Sequence, residues 1–168
     1  MKTHPRWYFW TLLVTLLAAD QLSKWLVVNH LAPYETRPIV SGLLNLTYLT
    51  NDGIAWGLLR GNNLALAAIV SVIVLAALWY ARRLDWRPAA TNLLAATISA
   101  GAIGNLLDRF TRGHVIDFAD FIVPLTNGYH WPAFNVADSC ITVSAAWLCY
   151  RAVKSRPPTG EGEGGIEY

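Results

Sequence analysis

From Leu64 to Tyr80 the chain carries no charged residue, and Arg82, Arg83 and Arg87 follow at once. A helix needs about 20 mostly apolar residues to cross the hydrocarbon core, and a basic cluster at one end holds that end in the cytoplasm. The segment therefore predicts a membrane helix, and three others share its character. Trp7 to Ala19 is too short to span alone, but apolar residues resume at Trp25 after Asp20 and Lys24, giving a span of about 7–28. Leu17-Ala18-Ala19 is a poor small-x-small cleavage site, so this first segment reads as an uncleaved anchor. Further spans are expected over about 89–107 and 133–150. A composition that is 54% hydrophobic and only 14% charged excludes an ordinary soluble domain, and a net charge of +2 gives no reason to expect nucleic acid.

The expected fold class is thus an integral membrane protein, mainly α. It has four transmembrane helices in a single domain over residues 1–154, with a small extracytoplasmic β-containing loop over 29–62. In that loop the alternation around Leu44, Leu46 and Tyr48 suggests a half-buried strand ending at the turn formers Asn51-Asp52-Gly53. Residues 155–168 are rich in Pro, Gly and Glu and read as a disordered tail. Lys2, Arg6, Arg82, Arg83, Arg87, Arg151, Lys154 and Arg156 fall on one side, against Lys24, Arg37, Arg60, Arg109 and Arg112 on the other. The positive-inside rule then puts both termini and the tail in the cytoplasm and most of the aspartates outside.

The aspartates carry the chemistry. Asp108, Asp117, Asp120 and Asp138 lie within the stretch from Gly104 to Ser139, and ionisable groups beside apolar helices are costly unless paired or functional. Asp108, near the carboxyl end of a helix, needs compensation from Arg109 or Arg112, while Asp20 and Lys24 stand one turn apart as an ion pair or a substrate-positioning pair. Asn105 has the reach to bond across helices. Asn135 followed by Asp138 reads as a helix N-cap with an acid at the third position, a role compatible with catalysis. Two neighbouring carboxylates share a proton, so that one activates water while the other polarises a carbonyl. Spacing leaves Asp117 and Asp120 equal as partners for Asp138 in such a pair.

No metal chemistry is expected, because His4, His30, His114 and His130 are scattered. Cys140 and Cys149, roughly 13 Å apart along one helix, cannot bridge each other. A small transporter or proton-conducting subunit is the competing class, and it calls for acids near the bilayer midplane rather than gathered at one face.

Five ordered blocks resemble the lipoprotein signal peptidases, or signal peptidase II: Asp20-Gln-Leu-Ser-Lys24, Asn51-Asp-Gly-Ile-Ala-Trp56, Gly104-Asn-Leu-Leu-Asp-Arg109, Val115-Ile-Asp-Phe118 and Phe134-Asn-Val-Ala-Asp-Ser139. Trp56 stands where that family often has Phe, and Asp52 occupies a variable position. The resemblance implies an aspartyl endopeptidase of the bacterial cytoplasmic membrane, acting on prolipoproteins just before a diacylglyceryl-modified cysteine. It selects Asp117 with Asp138 as the catalytic pair. Asp20, Lys24, Asn51, Gly53, Asn105, Asp108, Arg109 and Asn135 become substrate-binding or structural supports, with Asn51, Asn105 and Asn135 suited to holding the substrate backbone extended. No cofactor is implied; the partners are the prolipoprotein and membrane lipid, and a monomer is expected.

Overall fold

The computed structural model describes residues 7–53 and 89–154, together with the helical positions Ala68 and Val72. The expected span over 64–80, the basic hairpin after it and the tail over 155–168 lie outside the described residues. Helix α1 runs Trp7–His30, α2 runs Ala89–Arg112 and α3 runs Val136–Lys154. Strands β1, Thr36–Val40, and β2, Leu44–Asn51, follow α1, and β3, Val115–Phe121, joins α2 to α3. The three strands form one antiparallel sheet in the order β1-β2-β3.

α1 buries Phe9 near its start and then Asp20, Lys24 and Val27 at intervals of three or four residues, a stripe that Leu31 continues just past its end, while Trp7, Trp10, Leu22 and Trp25 are exposed. α2 buries Asn92, Ala96, Ala100, Gly104 and Asp108, one residue per turn. Small residues on this stripe let α2 approach both of its neighbours, α1 and α3. A Cβ at Gly104 would lie 2.5 Å from Asp20 Oδ2, and one at Gly101 would lie 2.5 Å from the Ala137 carbonyl. Neither close approach would survive a side chain.

The interior is the inverse of a water-soluble core. The largest fully buried side chains are Lys24, Ile116, Asn135, Thr47, Asp20, Asp108 and Ser144, whereas Trp, Leu, Ile and Val residues cover the outside of the helices. In water the exposed set would be unfavourable, but against lipid it is matched to its surroundings, and the polar groups find their partners inside. Among the described residues, α1 is the one helix long and apolar enough to cross a membrane; Val136–Tyr150 is a shorter apolar helix.

Several boundaries differ from the sequence reading. α2 continues past 107 to Arg112, because Asp108 and Arg112 pair across its last turn, and Gly113 at φ 81° then ends it. α3 begins at Val136 rather than 133, since Asn135 caps it. Residues 115–121, between two of the expected spans, form a strand. In β2 the expected half-buried apolar face is present, but the fully buried positions are the polar Asn45 and Thr47, which face partners in the sheet and the preceding loop.

Candidate active site

Where the amino end of α3, the last turns of α2, the middle of α1 and the strand β3 converge, the polar residues form one connected network. Lys24 is its centre. Its Nζ donates to Asp20 Oδ2 at 2.9 Å and to Asn105 Oδ1 at 3.0 Å, and pairs with Asp108 Oδ2 at 2.8 Å. All three charged groups are buried, with exposures of 0% for Lys24, 1% for Asp20 and 0% for Asp108. Asp20 and Lys24 form the ion pair that their spacing suggested, inside the bundle. A buried ammonium needs opposite charge around it, and here two carboxylates supply it, with Arg112 completing the compensation of Asp108.

Asp108 had been expected to pair with Arg109 or Arg112. Arg112 does so, but Lys24 on another helix is the second partner, and Arg109 instead donates to the backbone carbonyls of Gly53 at 3.1 Å and Asn105 at 3.3 Å. Gln21, within a recognised block yet assigned no role from sequence, donates from Nε2 to Asp20 Oδ2, the Gly104 carbonyl and Asp108 Oδ1 at 3.1–3.3 Å. Its place one residue after Asp20 on a helix that meets α2 was the available signal. Asp20 Oδ1 accepts from the Ala137 N–H at 2.9 Å, so a carboxylate of α1 sits on the first turn of α3 and satisfies a donor that the helix itself cannot.

Asp117 is buried, at 4% exposure. Its two oxygens accept from Asn51 Nδ2 at 2.8 Å and Asn135 Nδ2 at 2.7 Å. Asp138 accepts from Asn105 Nδ2 at 2.7 Å and from the Asn135 N–H at 3.3 Å. Asn135 Nδ2 also lies 3.3 Å from Asn105 Oδ1, which joins the two halves. Three asparagines thus present their NH₂ groups to two aspartates, and in each the oxygen is engaged elsewhere. Asn51 Oδ1 accepts from the Gly53 N–H at 3.0 Å, Asn105 Oδ1 from Lys24, and Asn135 Oδ1 from the Asp138 N–H at 2.9 Å. An amide whose oxygen is held by a donor cannot turn that oxygen toward a carboxylate, so each asparagine is locked as a donor to its aspartate. The reciprocal bonds between Asn135 and Asp138 are also a helix cap, as the spacing suggested.

Burial, then the neighbouring charge of Asp138, push the Asp117 carboxyl from its ordinary value of 3.8 to about 7, against the opposing donation from Asn51 and Asn135. The raised value lets this group keep, toward neutral pH, a proton that an ordinary aspartate has lost, the condition under which one carboxyl donates and its neighbour accepts.

Asp120 lies elsewhere. Three residues from Asp117 on a strand, it faces the opposite side of the sheet, where Asn45 Nδ2 donates to it at 2.8 Å and His130 Nδ1 lies 2.7 Å away. Residues 115–121 being a strand is what separates two acids that spacing alone left equivalent. Asn45 and His130 were not singled out from sequence; Asn45 sits on the polar positions of the β2 alternation, and His130 gave no local signal.

The family model for signal peptidase (SPase) II matches residues 12–154. The lipoprotein signal peptidase of Desulforapulum autotrophicum is 38% identical over 148 residues, covering 85% of this chain and 90% of that protein. That of Moorella thermoacetica is 35% identical over 156 residues, covering 91% and 95%. A solved bacterial membrane enzyme superimposes with a TM-score of 0.81 at 25% identity, covering 95% of this chain and 94% of the other. The matched span runs through all three described helices and every residue of the polar network, and on that breadth the chain belongs to the signal peptidase II family and is a membrane peptidase.

Proposed function

We propose that this peptidase removes the signal peptide from diacylglyceryl-modified prolipoproteins, cutting before the lipid-modified cysteine at the outer face of the bacterial cytoplasmic membrane. Asp117 and Asp138 are the catalytic pair. The observation that carries the assignment is the set of three locked asparagines, which aim donors at these two aspartates and join them in one network. Membership in the family and relatives named lipoprotein signal peptidase support the substrate class.

One proton is shared between the two carboxyls. The ionised partner takes a proton from water as the oxygen attacks the scissile carbonyl, and the protonated partner donates to the carbonyl oxygen. The resulting gem-diol collapses when one carboxyl gives its proton to the departing amine while the other takes a proton from a diol hydroxyl as the new carboxyl group forms, which leaves the pair again with a single shared proton. The asparagines keep both carboxyls oriented while charge moves between them. Asp20, Lys24, Asp108 and Arg109, with Gly53, hold this arrangement together, and Lys24 acts on Asp138 through Asn105.

The membrane arrangement belongs to the same reading: four spans in a single domain over residues 1–154, both termini cytoplasmic, the sheet at the outer surface and a monomer in contact with lipid. The basic residues support it, as does the position of Asp108 near the carboxyl end of α2 and of Asp138 in the first turn of α3.

Asp117→Asn and Asp138→Asn should each abolish cleavage of a diacylglyceryl-modified precursor by purified enzyme while leaving insertion into the membrane intact. Near-normal turnover by either variant would refute the pair.

A further inference from the structure

The sheet face opposite Asp117 carries a second polar cluster that the chemistry just described does not use. Asp120 on β3 accepts from Asn45 Nδ2 at 2.8 Å through one oxygen and meets His130 Nδ1 at 2.7 Å through the other. Its side chain is 13% exposed, whereas that of His130 is 52% exposed.

His130 lies on the segment that leads from β3 back to α3. This segment runs along the free edge of β3, bonding from the Trp131 N–H to the Phe121 carbonyl at 2.8 Å. It bonds again between Phe134 and Ala119 in both directions, at 2.8 and 3.1 Å. Between these contacts stands Pro132, which has no N–H to donate, so the backbone ladder is broken there. The bond between His130 and Asp120 fastens the segment to the sheet beside that break. One residue beyond Phe134 is Asn135, which caps α3, donates to Asp117 and accepts from Asp138 N–H.

We infer that His130, held by Asp120 and Asn45, is a positioning residue for the peptidase reaction: it anchors the strap over residues 130–134 so that Asn135 meets Asp117 and Asp138 in register. The inference rests on the assignment of those two aspartates as the catalytic pair. A neutral imidazole protonated on Nδ1 is sufficient, since it donates to a carboxylate without itself carrying charge. The clasp is then a matter of reach and direction. Loosening it weakens the donation from Asn135, one of the two bonds that hold the Asp117 titration down against burial and Asp138, with Lys24 the remaining charge acting in the same sense.

The test uses the full chain in lipid vesicles with a synthetic diacylglyceryl-modified precursor. His130→Ala should lower kcat about tenfold with KM within about twofold, the size of effect expected when one positioning hydrogen bond is lost. The upper limb of its kcat against pH should also move to higher pH. His130→Asn, whose amide nitrogen stands near the position of Nδ1, should recover kcat to within about threefold, whereas His130→Gln, with its nitrogen one bond farther out, should not. Asp120→Ala, which also removes the bond to Asn45, should lower kcat at least as far as His130→Ala, and the double variant should be no slower than Asp120→Ala, because the bond to His130 is already lost in it.

Wild-type kcat and pH profile in His130→Ala would overturn the clasp, as would equal rates for the Asn and Gln variants or losses that multiply in the double variant. Asp117→Asn, run alongside, separates the two levels. If it cleaves, the catalytic pair is wrong; if it is inactive while His130→Ala is normal, only the clasp falls.

Discussion

Asp117 spends folding free energy to be useful. Its carboxyl is raised to about 7 from 3.8, so folding favours the protonated form, and the contribution of this group to stability is full below 3.8 and lost as pH rises through 7. Asp117→Asn stays neutral throughout. The stability of the variant in detergent, followed by thermal unfolding against wild type, should therefore rise relative to it between about pH 4 and pH 7, by an amount on the order of a few kcal/mol at the upper end. A difference that stays constant across that range would show that Asp117 is not held in this state. At this scale the sequence was legible where local spacing carries the information. Asn135 capping α3 and Asp20 beside Lys24 could both be read from positions three and four apart. The pairing of Lys24 with Asp108 could not, because it joins two helices whose relative rotation no local pattern encodes.

The helices α1 and α2 meet through an absence of side chain. Gly104→Ala would place a methyl carbon 2.5 Å from the Asp20 carboxylate, and either the helices part or the Lys24 network shifts. We expect a loss of about 1–3 kcal/mol in stability, the usual cost of overpacking, and a larger loss of cleavage, because Asn105 is the next residue. Thermal unfolding in lipid alongside the peptidase assay would check this, and unchanged behaviour in both would mean that the contact is looser than it stands. β3 shows why elements near the site were harder to read than the helices. In Val115-Ile-Asp-Phe-Ala-Asp-Phe121 the two acids are three positions apart, the spacing of a helix face rather than of a half-buried strand, because one acid serves each side of the sheet. The positions that defeat the pattern are the ones with chemistry to do.

For the molecule as a whole, the proposed orientation can be tested from either side of the membrane. In a background with Cys140 and Cys149 replaced by serine, Leu125→Cys changes a fully exposed turn residue that the proposed orientation puts outside, and it should react with an impermeant maleimide in intact cells. Glu163→Cys, in the tail, should react only after permeabilisation. The reverse result would turn the molecule over and remove the catalytic pair from the outer face. The overall class was readable from apolar segments and basic clusters alone, but the polar interior was not, because the residues that fill it are dispersed over α1, α2, β3 and α3 and share no local signature. That interior has a consequence for biogenesis. A lone α1 enters the bilayer with Asp20 and Lys24 already balancing each other, but Asp108 arrives later with α2 and finds its second cation only by lateral association. Association of α1 with α2 thus gives Asp108, which Arg112 meets on its own helix, a second cation within lipid, where no apolar surface leaves water to drive the contact.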